Sequence, residues 1–256
     1  MHICRFRRKQ TDEPARFGVI EGETILPVRG ETPFQPIEVD RAHPLASSEV
    51  QLLAPCQPSK IVCIGRNYRE HAAELGHDAP AEPLIFLKPP SAVIGPEEAI
   101  HLPAISQRVD YEGELVAVIG RRAFQIREDE SALEYLLGYT CGIDVTARDL
   151  QKKDVQFTRA KSFDTFAPLG PVITTDLDPS HLNIETRVNG EVKQRANTEL
   201  LIFPLDVLLR FITRVMTLLP GDIIYTGTPA GVGPLKAGDV VEVEIGGVGI
   251  LRNYVV

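Results

Sequence analysis

The chain reads as a mainly β protein with a few short helices, an α+β fold. Three observations carry that reading. Short runs rich in β-branched residues recur along the chain, among them KIVCIG, PLIFLK, LVAVIG and IIYTG, each closed by Gly or Pro. An Asn189-Gly190 pair stands between the alternating runs HLNIETRV and EVKQRANTE, a tight-hairpin signal. Extended helical periodicity is confined to LIFPLDVLLRFITRVMTLLPGD, whose apolar positions suit a core face better than a cofactor box.

Taken in order, residues 1–56 read as a small N-terminal β-rich domain, with ICRFRR, RFGVIEG and ETILPV as strands and HPLASSEVQLLAPCQPSK as a connector. Residues 57–256 form the main domain, beginning with the buried strand KIVCIG. RNYREHAAELG follows as a short helix: Asn67 and Glu70 have capping-box spacing and Gly76 can end it. The polar, Pro-rich HDAPAEP after it makes helix plus loop a candidate lid. PLIFLK is a strand bearing Lys88 before a Pro-Pro break, and VDYEGELVAVIG is a strand with acids at its head. ESALEYLLGY reads as a short helix leading into GYTCGIDVTARDLQ, a buried strand that ends in Asp144 before a helix start. Gln151, Lys161 and Ser162 fall in an apolar-poor loop. GTPAGVG lacks the Lys-Ser/Thr of a phosphate-binding P-loop and no helix pattern follows it, although its backbone can approach a small anion closely.

The chain has 256 residues, 43% hydrophobic and 24% charged, which suits one large domain or a main domain with a small one. A net charge of −8 with scattered basic residues argues against nucleic acid and anionic membranes as partners. MHICRFRRKQ has no apolar stretch behind it, so no secretory signal is expected. The longest apolar segment is interrupted by Pro204, Asp206, Arg210 and Arg214 and does not suit a bilayer. Cys4, Cys56, Cys63 and Cys141 lack CxxC spacing, so reduced buried thiols and a cytoplasmic setting are expected.

The chemistry concentrates in two stretches. Glu112 and Glu114, two apart on a strand, project from one face, where they repel unless something positive sits against both. A divalent metal answers that repulsion, and a solvated strand end is the bland alternative. Asp144, at the end of its own strand, would complete a three-carboxylate site or serve as an N-cap. His71 and Glu74 share a helix face. A carboxylate there can fix the imidazole tautomer and ready a general base, and a plain surface pair is the alternative.

GRNYREHAAELG, FLKP, DYEGELVAVIG, GIDVTARDLQ, RAKSFD and GDIIYTGTPAGVG, in this order, resemble the fumarylacetoacetate hydrolase superfamily over roughly residues 58–256. The first segment resembles the small N-terminal domain of many bacterial members. The resemblance implies a mixed β-roll or sandwich fold, one Mg²⁺ or Mn²⁺ per chain and a homodimer. It makes Glu112, Glu114 and Asp144 metal ligands, His71 and Glu74 a catalytic dyad on a lid helix, and Lys161 a stabiliser of oxyanion charge. Arg66, Lys88, Gln151 and Thr228 fall where members contact substrate or order the site. Fumarylacetoacetase proper carries a fourth acidic ligand upstream of its histidine, where this chain has Ile64, and a far larger N-terminal domain. The chain therefore resembles the smaller acylpyruvase, decarboxylase and isomerase branch.

Such residues suit a 2-oxo acid substrate that chelates a metal through two oxygens and passes through an enolate. Hydrolysis of an acylpyruvate is the first expectation: His71 activates water, Lys161 stabilises the tetrahedral oxyanion, and pyruvate enolate leaves on the metal. Isomerisation of 2-hydroxyhepta-2,4-diene-1,7-dioate and decarboxylation of oxaloacetate are the alternatives. A protein that binds metal and 2-oxo acid without turnover is the reading from outside enzymology.

Overall fold

The computed structural model describes all 256 residues, and its architecture follows from one fully buried strand. Gly113–Ile119 is buried at every position. Leu115, Ala117 and Ile119 point into the largest core, while Val116 and Val118 point into a second one. A strand covered on both faces carries a continuous apolar run in place of alternation, which is how LVAVIG reads.

This strand lies in the middle of a twelve-stranded sheet. Leu136–Ile143 pairs antiparallel on one side, with Gly113 opposite Ile143, and Ile223–Tyr225 on the other. Beyond Ile223–Tyr225 come Ile61–Gly65, in parallel, and then Leu84–Lys88. Beyond Leu136–Ile143 comes Ala167–Thr174, and past it the N-terminal strands, because His2–Arg8 pairs with Ala167–Thr174. A five-stranded sheet built on Asn183–Val188, Glu191–Asn197, Val240–Ile245 and Gly249–Val255 faces the large sheet. Its Ile184, Val241, Val243 and Leu251 share the main core with Leu115 and Ala117, so the two sheets pack as a sandwich. Helix Leu205–Val215 adds Leu205, Leu208, Leu209 and Ile212 to that core. The fold is mainly β with short helices, as expected.

Four local expectations change. The segment read as a connector contains Val50–Leu53, which pairs with His2–Arg8. ESALEYLLGY makes only a 3-10 turn over Ala132–Tyr135, because from Leu136 the chain is taken up as a strand of the large sheet. Gln151 lies on the helix Arg148–Lys153 and Lys161 closes a short helix, Thr158–Lys161, where a loop was expected. Helix Arg69–Glu74 begins after Tyr68 with no side-chain cap. Asn67 is committed elsewhere: it donates to the Phe203 (3.0 Å) and Thr226 (2.7 Å) carbonyls and accepts from Phe203 N–H. The hairpin is as expected, with Asn189 (φ 53°) and Gly190 (φ 78°) both left-handed, as a type I′ turn requires. All four cysteines are free and buried, and no helix is long and apolar enough to cross a membrane.

Candidate active site

The large sheet sets three carboxylates against one another. Glu112 is the break between strands Val109–Tyr111 and Gly113–Ile119, and Asp144 directly follows Leu136–Ile143. The register that puts Gly113 opposite Ile143 brings Asp144 beside Glu112, with Asp144 N–H donating to the Glu112 carbonyl (2.8 Å). One oxygen each from Glu112, Glu114 and Asp144 lies within 4.8 Å of the others, and all three residues are buried.

Buried carboxylates this close need compensation. Lys161 Nζ donates to Glu112 Oε2 (2.7 Å) and Asp144 Oδ2 (2.6 Å). Lys88 donates to Asp144 and to the Val145 carbonyl (3.1 Å). Arg148 donates to Glu112, and its Nε to Asp110 Oδ2 (2.9 Å). Burial alone would raise the Glu112 carboxyl, but Lys161 and Arg148 outweigh it and hold Glu112 well below the usual range. Glu114 differs. No cation touches it; its one bond is from Gly227 N–H to Oε2 (2.7 Å). Burial, then the neighbouring Asp144 and Glu112, push its carboxyl well above the usual range. An all-oxygen donor set containing one carboxylate with no cation of its own fits a hard divalent ion of the Mg²⁺ or Mn²⁺ type.

The triad lines a cavity of about 370 Å³. His71, also buried, lines it from the helix Arg69–Glu74, and its Nδ1 lies 3.2 Å from Glu74 Oε2. Glu74 in turn accepts the Gly231 N–H (3.1 and 3.3 Å), which joins the helix to the Gly-rich loop after Ile223–Tyr225. Nδ1 held by a carboxylate leaves Nε2 as the basic nitrogen.

Most residues singled out from the sequence meet at this cavity: Arg66, His71, Glu112, Glu114, Asp144, Gln151, Lys161 and Thr228 line it. Gln151 accepts from Arg148 (2.6 Å), and the Thr228 hydroxyl donates to the Gly113 carbonyl (2.9 Å). Lys88 stands behind Asp144, bonded and fully enclosed, and does not line the cavity, an arrangement that suits ordering the site over touching substrate. Lys161 is spoken for by two carboxylates, which leaves one of its three N–H groups for any other acceptor.

Sequence reasoning missed Arg148, Lys152, Phe86 and Phe157, which also line the cavity. Arg148 had a readable signal, standing four residues after Asp144 on the helix Arg148–Lys153. The others had none, because their approach depends on tertiary packing.

Residues 60–256 match the family described as fumarylacetoacetate (FAA) hydrolase, C-terminal, and residues 1–55 match one described as Rv2993c-like, N-terminal. The chain belongs to the fumarylacetoacetate hydrolase family. It is similar in structure to a 5-carboxymethyl-2-hydroxymuconate delta-isomerase from Mycobacterium smegmatis, with 44% identity and a TM-score of 0.91 over 100% of this chain and 99% of that one. It is 45% identical to the mitochondrial oxaloacetate tautomerase fahd2 of Xenopus laevis, over 84% of this chain and 71% of that protein. A fumarylpyruvate hydrolase from Pseudomonas aeruginosa, solved with Mn²⁺ and pyruvate, is 34% identical with a TM-score of 0.73, over 80% of this chain and 91% of that one.

Proposed function

We propose that the chain is an enzyme that hydrolyses the C–C bond of acylpyruvate-type 2-oxo acids, with Mg²⁺ or Mn²⁺ held by Glu112, Glu114 and Asp144. One observation carries this: a buried histidine oriented by a carboxylate and a buried acidic triad line the same cavity. The bound cation would supply a chelating point for the 2-oxo acid and a sink for negative charge. His71 Nε2 takes a proton from water as the water oxygen adds to the distal carbonyl. The free N–H of Lys161 can donate to the oxyanion so formed. Collapse breaks the bond from that carbon to the pyruvyl methylene, whose carbon takes the electron pair and becomes the enolate. The proton on His71 then returns to it, giving pyruvate and the carboxylic acid. Arg66 and Lys152 line the cavity without the carboxylate partners that occupy Lys161 and Arg148, which supports an anionic substrate.

A second reading has specific support. The relatives of 44% and 45% identity are named as an isomerase and a tautomerase. Without attacking water, His71 would move a proton between positions of a 2-oxo acid and its enol. Product analysis separates the readings. Purified protein with Mn²⁺ is given acetylpyruvate, oxaloacetate and a 2-hydroxydienedioate. Pyruvate plus acetate from the first establishes hydrolysis. Keto–enol or double-bond isomers alone establish the second reading. Tight 2-oxo-acid binding with no turnover of any of the three would sink both.

A further inference from the structure

We infer that Gln194, on the five-stranded sheet and outside the cavity, is the positioning residue that holds the acidic triad and the His71–Glu74 pair in register. The inference rests on the functional reading above only where turnover is measured.

Gln194 is a long polar side chain on strand Glu191–Asn197, and it is 1% exposed. A buried primary amide carries two donors and an acceptor that must be met. Its Oε1 accepts the N–H of Gly113 (3.0 Å), the residue between Glu112 and Glu114. Its Nε2 donates to Thr228 Oγ1 (2.8 Å) and to the Pro229 carbonyl (2.8 Å). One side chain thus grips the backbone that carries two triad carboxylates and the loop that follows Ile223–Tyr225.

That loop reaches both walls of the cavity. At one end Gly227 N–H is the sole hydrogen-bond donor to the Glu114 carboxylate, and at the other Gly231 N–H donates to the Glu74 carboxylate. Thr228, between them, donates to the Gly113 carbonyl, so the Gly113 peptide groups are bound from both sides. A shift of the loop would move Glu114 and Glu74 together.

The glycines show how closely the Gln194 hairpin is seated. A Cβ on Gly113 would stand 2.0 Å from Thr186 Oγ1, the residue paired with Gln194, and 3.3 Å from Gln194 Oε1. A Cβ on Gly231 would stand 2.2 Å from the Lys193 carbonyl and 3.3 Å from Gln194 Cγ. The Glu-Gly-Glu strand and the GTPAGVG loop both leave out a side chain where this hairpin presses on them. A residue serving only to fill the core would be apolar here, since an unmet amide is costly to bury.

The test is Gln194→Met, which keeps the length of the side chain and removes the amide. Hydrogen exchange on the protein without substrate should rise at least about tenfold in residues 69–76 and 227–232, with the large sheet unchanged. Mn²⁺ affinity, read by the spin-resonance signal of the free ion, should weaken by about tenfold or more. Turnover per folded molecule should fall by up to about a hundredfold in kcat, with KM little changed. Unchanged exchange in both segments, or exchange that rises uniformly with intact Mn²⁺ affinity, would reduce Gln194 to a structural residue and overturn the inference. If the Met variant does not fold, Gln194→Glu keeps the acceptor and loses the amide donors. It should raise exchange in 227–232, and protection equal to wild type there would overturn the inference. A wild-type protein that turns over no 2-oxo acid defeats the functional reading alone; exchange and Mn²⁺ affinity still decide on Gln194.

Discussion

The two walls of the cavity are built on opposite principles. The triad stands on strands buried on both faces, and Lys88, Lys161, Arg148 and the Glu112–Asp144 backbone bond fix two of its three members. The dyad stands on a six-residue helix with no side-chain cap, and its Glu74 side chain is 33% exposed. That helix is tied down by a few bonds: Asn67 to Phe203 and Thr226, the Tyr68–Leu201 bridge, and Glu74 to Gly231. Concentrated like charge needs a rigid, low-mobility frame to hold its compensating cations in place. A base that must admit substrate and then meet it needs a lightly held one. Under the proposed function, the difference teaches that charge storage and access would be assigned to separate elements, joined by the loop Gly227–Gly231.

Breaking the rigid wall should have the largest effect. Glu114→Ala or Asp144→Ala is expected to abolish Mn²⁺ binding and lower kcat/KM by about a thousandfold or more, since a metal centre is worth several kcal/mol. Calorimetric Mn²⁺ titration beside initial rates checks this. The lightly held wall comes next: His71→Ala should cost about 10²–10⁴ in kcat while Mn²⁺ affinity holds, because the loss is of proton transfer alone.

Gly113→Ala tests whether the walls share a frame. Its Cβ would meet Thr186 Oγ1 at 2.0 Å, so a stability loss of about 1–3 kcal/mol is expected in urea unfolding, together with weaker Mn²⁺ binding. Unchanged Mn²⁺ affinity in a destabilised Gly113→Ala would separate packing from the site.

A subtler change sharpens the electrostatic half of the contrast. Glu114 in the metal-free protein has its carboxyl raised well above the ordinary 4.5 by burial and by Asp144 and Glu112. A carboxyl raised on folding binds more protons folded than unfolded, so it costs nothing below the unfolded value, and the cost grows as pH rises above it. Glu114→Gln should therefore raise the melting temperature of the chelator-treated protein by a few degrees at pH 8 and lose that advantage towards pH 4. Equal advantage at both pH values would refute the origin given for it. The smallest effect belongs to the rim: Lys152, exposed beside the cavity, should raise KM by about fivefold or less as Lys152→Ala, with kcat unchanged.

Much of this was readable in the sequence, for physical reasons. Strand runs such as KIVCIG and LVAVIG show because burial on both faces forces them apolar, and Asn189-Gly190 shows because a type I′ turn demands left-handed backbone at both residues. Glu112, Glu114 and Asp144 stood out because acids at the ends of apolar strands carry an electrostatic cost. Their mutual approach depended on the register of Gly113 with Ile143, which no local pattern encodes. The capping reading of Asn67 failed because its side chain finds stronger long-range partners at Phe203 and Thr226. The sequence leaves Lys88 between contacting substrate and ordering the site, because strand position does not say which side of a carboxylate a lysine takes. Gln194 had no sequence signal at all: an amide in a hairpin strand looks solvent-facing until the second sheet is laid over it.

The most direct test of the account places His71→Ala and Glu114→Ala side by side with the wild type, measuring Mn²⁺ affinity and turnover of acetylpyruvate and oxaloacetate on the same preparations. The account predicts a crossed result: His71→Ala keeps the metal and loses the rate, whereas Glu114→Ala loses both. Wild-type turnover in His71→Ala, or undiminished Mn²⁺ affinity in Glu114→Ala, would contradict a site made of one wall that holds charge and one that moves protons.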